Sequence, residues 1–188
     1  MITAICLSVL LSQAQQPQLV RSGGILTATF SVEQGAVRVY LPDDIRPGDT
    51  ISGTVVAIPA GSSQEEQDKN AAVLRGMVIV GPGGTATPSA SQFEWKLPAL
   101  SDDNGFTISL HNDFGQSRAN ALVPYSEFGW RPGLFHFPQV VTAGGPVVVY
   151  GPFDGSLSNT ELYVDSSQVG VLAESPREAI FVCPPEVL

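Results

Sequence analysis

Short runs of β-branched and aromatic residues, separated by glycine, proline, aspartate and asparagine, occupy most of the chain after residue 24. Within residues 36–41, apolar and polar positions alternate, which places Val37 and Val39 on one face of a strand and Arg38 and Tyr40 on the other. Turn-forming residues recur about every 8–12 residues, the spacing of an all-β sandwich or barrel. The pattern predicts strands at residues 25–32, 36–41, 50–58, 77–80, 92–97, 106–111, 116–123, 139–142, 147–150, 161–165, 168–172 and 179–183.

One segment departs from this alternation. Residues 62–75 read SSQEEQDKNAAVLR, with acidic side chains early and basic ones late, and Gly76 follows. This order suits the helix dipole, and glycine suits a helix C-terminus. Because apolar residues occur only at positions 71–74, the segment cannot bury a full stripe. We therefore predict a helix of one or two turns, or an ordered loop, that crosses between two strands in solvent. The alternative is a protrusion that binds a partner.

A domain boundary is predicted within residues 127–137, where the alternation stops. Pro132 and Gly133 interrupt the chain there, and four aromatic residues crowd together: Phe128, Trp130, Phe135 and Phe137. Such a cluster predicts either an apolar contact that holds two domains together or an exposed platform for sugar rings. In the second case the binding residues are Phe128, Trp130 and Phe135. The predicted domains are a β-sandwich at residues 20–130 and a second unit at residues 137–188.

The second unit has a specific order of turns and strands. Gly151-Pro152-Phe153-Asp154-Gly155 follows the strand at 147–150, and Ser175-Pro176-Arg177 precedes the strand at 179–183. This order resembles the opening of an IPT/TIG domain, the immunoglobulin-like module of plexins, Rel-type transcription factors and many bacterial envelope proteins. The resemblance implies an interaction or spacer module and transfers no catalytic residue. Phe153 is expected to close the end of this sandwich, and alternation predicts four core residues: Leu162, Val164, Ile180 and Val182.

The chain ends at Leu188, where that family continues through one or two more strands. Because an unclosed sandwich exposes a sheet edge, we expect a truncated fragment, a reduced variant, or a unit completed by the first domain or a partner. In the first unit, residues 37–55 are similar to the start of ZU5-like β-sandwich domains of bacterial surface proteins. Asp43-Asp44 and Pro47-Gly48-Asp49, within that stretch, also fit β-turn chemistry directly.

The N-terminus predicts export. Residues 1–11 read MITAICLSVLL, an apolar run too short to cross a bilayer, and Ser12-Gln13-Ala14 follows. We predict a signal peptide at residues 1–14, cut after Ala14, with a buried first strand or an uncleaved anchor as alternatives. Cys6 lies within this segment, whereas Cys183 is predicted to be a buried apolar residue and not a reactive thiol. No later run is long enough to span a membrane.

The charge balance excludes one class of partner. The chain has 18 Asp and Glu against 9 Lys and Arg, a net charge of −9, and its basic residues are scattered from Arg21 to Arg177. Nucleic-acid binding needs clustered basic residues. The sequence therefore predicts no nucleic-acid partner and a surface that repels anionic membranes.

Candidate catalytic and metal-binding residues are few. His111 and His136 are the only histidines, too few for a zinc site, and Gly81-Pro82-Gly83-Gly84 lacks the lysine of a phosphate loop and predicts a turn. Calcium has only weak candidates, because the two acidic clusters bracket the strand at 106–111 and would lie about 20 Å apart. Those candidates are Asp102, Asp103 and Asp113. We predict no catalytic residue, metal or cofactor.

These observations predict an all-β protein of two antiparallel β-sandwich units, the second immunoglobulin-like, with one short helix in the first. Its predicted role is that of a non-catalytic, exported envelope or extracellular protein that acts as an interaction or structural module, with a protein or a polysaccharide as the candidate partner. A carbohydrate-binding accessory module of a surface polysaccharide system is the alternative, favoured if Phe128, Trp130 and Phe135 are exposed and coplanar and not packed inward. A small hydrolase would need a cleft where two of the 18 acids converge.

Overall fold

A computed structural model describes residues 16–99, 104–126, 133–164 and 167–185, without the Ser167 side chain, and it is all-β with one helix, as predicted. All strand pairs in these ranges are antiparallel. The elements are β1 (Gln18–Ser22), β2 (Ile25–Val32), β3 (Gly35–Pro42), β4 (Thr50–Pro59), α1 (Gln64–Arg75), β5 (Val78–Gly81), β6 (Gly84–Ala86), β7 (Gln92–Lys96), β8 (Gly105–His111), β9 (Ser117–Pro124), β10 (Pro146–Tyr150), β11 (Leu162–Val164), β12 (Ser167–Val169), β13 (Val171–Ser175) and β14 (Glu178–Val182).

The first unit, β1–β9 with α1, is sandwich-like. One layer contains β1, β2, β3, β4 and β7, and the other has the order β6-β5-β8-β9. Val37 and Val39 of β3 are fully buried between the layers, and Arg38 and Tyr40 are half-buried, which confirms the predicted alternation. Side chains from both layers form one core, whose largest fully buried members are Trp95, Phe30, Leu26, Leu41, Ile45, Ile51, Leu74, Ile79, Ile108 and Leu110.

Helix α1 is longer than predicted, at 12 residues. The Ser63 side chain accepts a hydrogen bond from the Glu66 backbone N–H, and the Glu66 carboxylate accepts one from the Ser62 N–H at 2.9 Å. These reciprocal bonds satisfy N–H groups at the start of the helix, while Gly76 ends it with an ordinary right-handed conformation. Only Leu74 is buried. The caps therefore sustain three turns without a full apolar stripe.

The large sheet continues from the first unit into the second. At Thr54 of β4, β3 and β7 pair with opposite edges of the strand. At Ser52, two residues earlier in β4, β7 is still paired along the same edge, but β3 no longer pairs along the other edge. There Glu174 of β13 pairs with Ser52 instead. The order β13-β14-β10 extends the sheet from there. Backbone hydrogen bonding thus joins the two predicted units.

The second unit, β10–β14, has a smaller core made of Val147, Val149, Val169, Phe181 and Cys183. Phe153, Leu162 and Val164 pack partly buried against it, and Cys183 is buried as predicted. Ile180 is also buried, but it packs with Ile25 of the first unit. The prediction for Val182 is wrong, because this residue ends β14 at the rim of the sheet and is 46% exposed.

Other predicted elements differ in detail. Residues 139–142 form no strand, and residues 168–172 belong to two strands separated at Gly170. Strands β1 and β6 were not predicted. No helix in the described ranges is both long and apolar enough to cross a membrane. The predicted signal peptide, Phe128, Trp130, Asp102 and Asp103 lie outside the described residues.

Candidate functional site

The two-residue turn between β13 and β14 inserts Arg177 into the loop between β3 and β4. Its guanidinium donates hydrogen bonds to Asp44 Oδ2 at 2.7 Å, to the Asp44 carbonyl at 2.9 Å and to both carboxylate oxygens of Asp49. Arg177 is 1% exposed, so this ion pair is buried. A buried guanidinium requires such complete pairing, since burying a charge without a partner is strongly unfavourable. Arg177 therefore fixes the second unit against the first.

Glu178, next in the chain, makes a second contact with the same loop. Its Oε1 accepts hydrogen bonds from the backbone N–H groups of Asp43 and Asp44 at 2.7 and 2.9 Å. Burial raises the pKa of Glu178 to about 7, and the charges of Asp44 and Asp43 add to the effect, while the two backbone bonds oppose it. The junction thus combines a paired arginine with a carboxyl group that protonates near neutral pH.

Glu174 links the junction to the loop that follows β10. Its side chain is fully buried, and Oε1 accepts a hydrogen bond from Gly155 N–H at 3.0 Å. The Gly155 carbonyl accepts one from the Ser52 hydroxyl of β4. Gly155 has φ +84°, and a Cβ there would overlap the carbonyl oxygen of Thr50. Only glycine allows the loop to approach β4 so closely.

Burial also perturbs the titration of Glu174. It raises the pKa of the carboxyl group to about 7, and the nearby Asp154 charge contributes. Hydrogen bonds from the Thr160 side chain and the Gly155 backbone work in the opposite direction. Asp154 and Thr160 also line a cavity on the second unit, so Glu174 interacts with two residues of the cavity lining.

A cavity of about 450 Å³ opens on the second unit. Its apolar lining consists of Phe135, Phe137 and Phe153 with Val149, Pro152 and Leu162, and its polar lining consists of Asp154, Asn159, Thr160 and Glu161. Aromatic faces beside a few fixed polar groups are typical of small-molecule sites. The size lies within the range of ligand pockets, about 300–1,000 Å³.

The aromatic side is anchored at two points. Phe135 packs against Gly151, where a Cβ would overlap its ring, and its ring centroid lies 5.2 Å from that of Phe153 in an edge-on arrangement. Between Phe135 and Phe137, the backbone of His136 exchanges two hydrogen bonds with Tyr150 of β10, at 2.7 and 3.1 Å. Phe135 remains 52% exposed and Phe137 67% exposed. The rings are therefore positioned but open to solvent.

The two acidic side chains of the cavity are also held in place. Asp154 accepts hydrogen bonds from Asn159 Nδ2 at 2.6 Å and from Ser156 N–H at 2.8 Å, and these two bonds lower the pKa of its carboxyl group. Glu161 Oε2 accepts a hydrogen bond from the Tyr163 hydroxyl at 3.1 Å. Asp154 thus stays ionised well below neutral pH, with its carboxylate at a fixed position.

The structure brings one of the predicted site residues, Phe135, to this cavity. Asp113 is exposed in the turn between β8 and β9, and no cluster of three or more potential metal-ligating side chains occurs within the ranges that the structure describes. The sequence did not predict the polar residues of the cavity lining, because Asp154 and Asn159 are residue types that usually indicate only a turn. It also missed the junction, since nothing local marks Glu174 or Arg177 as buried.

No family model matches the chain, and neither does any curated protein or solved structure. The resemblances to IPT/TIG and ZU5-like domains therefore stay predictions.

Proposed function

We propose that this protein is an exported, non-catalytic β-sandwich module that acts by binding a ligand in the cavity of its second unit. The observation that supports this proposal is the cavity itself, which is lined both by exposed aromatic rings and by polar groups held in place by hydrogen bonds. A contiguous exposed apolar patch with polar residues around it is typical of a binding surface, whereas a single exposed apolar side chain is ordinary.

The carboxyl groups favour binding over hydrolysis. General acid catalysis at neutral pH needs an accessible carboxyl group with a raised pKa. Glu174 and Glu178 have such a pKa, but both are buried and neither lines the cavity. Asp154 is accessible, but its pKa is lowered. Among these three residues, the raised pKa and the accessibility that an acid catalyst needs do not occur together.

Carbohydrate binding is the second candidate, and the lining supports it. The faces of Phe135 and Phe137 suit the apolar side of a sugar ring, while Asp154, Asn159 and Glu161 offer partners for hydroxyl groups. The exposure of Phe135 agrees with the interpretation of the aromatic cluster as a ligand surface.

Export is the part of the proposal that depends on residues 1–14. We expect secreted protein to begin near Gln15 when its N-terminus is determined by mass spectrometry. Protein that retains Met1 and stays inside the cell would contradict export without affecting the binding proposal.

The binding proposal is tested by comparing two exposed phenylalanines. Phe137 lines the cavity and is 67% exposed, whereas Phe114 lies in the turn between β8 and β9 and is 83% exposed. Binding to a panel of soluble oligosaccharides is measured by calorimetry for the wild type, Phe137→Ala and Phe114→Ala. We expect Phe137→Ala to weaken binding at least about tenfold, the loss of roughly 1.4 kcal/mol, and Phe114→Ala to leave it unchanged. Equal effects of the two substitutions, or turnover of the oligosaccharide, would overturn the proposal.

A further inference from the structure

The charged groups of the cavity all have one sign. Asp154 and Glu161 are the only ionisable side chains among its described lining residues, and both are acidic. Glu174 lies directly behind Asp154 and adds negative charge when it is ionised. An anionic ligand would therefore be repelled, and a neutral ligand would gain no Coulomb energy from the polar wall.

Hydrogen bonds hold both acidic side chains of the cavity lining in place. Asn159 and Ser156 stabilise the ionised form of Asp154, and Tyr163 donates a hydrogen bond to one oxygen of Glu161. Each carboxylate has more lone pairs than these bonds use. Both side chains can thus accept further hydrogen bonds from an ammonium group.

The aromatic side of the cavity favours the same kind of group. A cation within about 6 Å of a phenyl centroid is attracted to the ring face. Phe135, Phe137 and Phe153 all line the cavity, and the centroids of Phe135 and Phe153 are 5.2 Å apart, so a cation in the cavity would lie near several aromatic rings. Aromatic faces together with carboxylates are a common environment for organic ammonium groups.

We propose that the cavity selects a saccharide that bears a protonated amine, with the ammonium group between the acidic wall and the phenylalanine rings. This inference rests on the proposed binding function and adds the charge of the ligand. It assigns Asp154 and Glu161 as the residues that determine specificity.

The test compares oligosaccharides of equal length that differ only at the amine. Calorimetry at about pH 6, where an amine is protonated, measures binding of the intact chain to a glucosamine oligomer, its N-acetylated form and a cello-oligosaccharide. We expect the glucosamine oligomer to bind at least about tenfold more tightly than either neutral oligomer. Equal affinities would overturn the charge inference and leave the binding proposal standing. Binding of none of the three oligomers would overturn both this inference and the carbohydrate candidate.

Matched variants separate selectivity from folding. Glu161→Gln keeps an acceptor for the Tyr163 hydroxyl, so we expect it to fold normally and to reduce amine binding several-fold more than it reduces binding of neutral oligomers. Asp154→Asn is expected to do the same more strongly, and Asp113→Asn, an exposed aspartate outside the cavity, is the control. Unchanged amine selectivity in Glu161→Gln and Asp154→Asn variants with wild-type melting temperatures would overturn the assignment of the acidic wall.

Discussion

The first unit and the junction with the second unit are stabilised in different ways. Among the residues that the structure describes, the first unit has a continuous core of 21 buried apolar residues, whereas the core confined to the second unit has five. Where the units meet, the buried groups include Glu174, Arg177, Glu178 and Asp49. Burial of apolar side chains stabilises a fold without requiring a particular orientation of the groups, whereas hydrogen bonds between charged groups require a defined geometry. We infer that the core gives the protein its stability and that the junction sets the orientation of the loop that lines the cavity.

The largest loss of stability is expected when the arginine at the junction is removed. Arg177→Ala leaves the carboxylates of Asp44 and Asp49 without their buried partner, and loss of one member of a buried ion pair costs about 3–5 kcal/mol. Urea denaturation measures the loss. Arg21→Ala is the control, because Arg21 pairs with Asp43 at the surface, where such pairs contribute about 0–1 kcal/mol. A loss below about 1 kcal/mol for Arg177→Ala would show that the junction does not hold the units together.

Glu174 makes the stability of the junction depend on pH, which distinguishes the junction from the apolar core of the first unit. Its pKa is about 7 in the folded protein against 4.5 ordinarily, so the folded state binds the proton more tightly than the unfolded state. The stability that this proton gives is present below pH 4.5 and is lost as the pH rises to about 7. The upper limit of the loss is about 3 kcal/mol.

Glu174→Gln removes this titration and keeps an acceptor for Gly155 N–H. We expect the variant to be more stable than the wild type above pH 7, by at most about 3 kcal/mol, and equally stable below pH 4.5. Glu94→Gln is the control. Glu94 of β7 lies opposite Ser52 along one edge of β4, as Glu174 does along the other edge, but the Glu94 side chain is exposed. Parallel stability curves for Glu174→Gln and the wild type between pH 4 and 8, measured by denaturation, would contradict this account.

The two cores can be compared with one kind of substitution. Val37 and Val149 are both fully buried, the first in the large core and the second in the small one. We expect Val37→Ala to cost about 2 kcal/mol and Val149→Ala about 1 kcal/mol, because half-buried neighbours such as Phe153 can relax into the space. Thermal unfolding of both variants measures the difference. A larger cost at Val149 would show that the second unit is packed as tightly as the first.

The smallest expected effect concerns the hydrogen bond between Ser52 and Gly155. Ser52→Ala leaves the Gly155 carbonyl without this donor, which costs about 1 kcal/mol. Ser31→Ala, at an exposed position of β2, is expected to change the stability by less than about 0.5 kcal/mol. If urea denaturation gives the same free energy of unfolding for both variants, this bond does not help to attach the loop that follows β10 to β4.

The sequence predicted the fold class because alternation in strands such as β3 directly reflects burial on one face. It did not predict β1, since all five residues of this strand are exposed and no alternation results. It underestimated α1 because the caps at Ser63 and Glu66 replace the missing apolar stripe. Local patterns report burial well only where one face of an element is buried.

The site was less predictable than the fold. Phe135 was identified because aromatic residues cluster visibly along the chain. Asp154 and Arg177 lie in turns and carry charge, which predicts exposure; what places Arg177 in the interior is a contact with Asp44 and Asp49 more than 125 residues away. Such pairing is a property of the tertiary structure, and no local pattern records it.

The most direct test of the binding account is chemical-shift mapping of the intact chain with a glucosamine oligomer. We predict that the backbone amide signals that move most belong to Phe135, Phe137, Gly155, Thr160 and Glu161, while those of β8 and β9 stay in place. Shifts concentrated in the first unit, or the absence of shifts at a concentration that saturates binding in calorimetry, would contradict the assignment of the cavity as the ligand site.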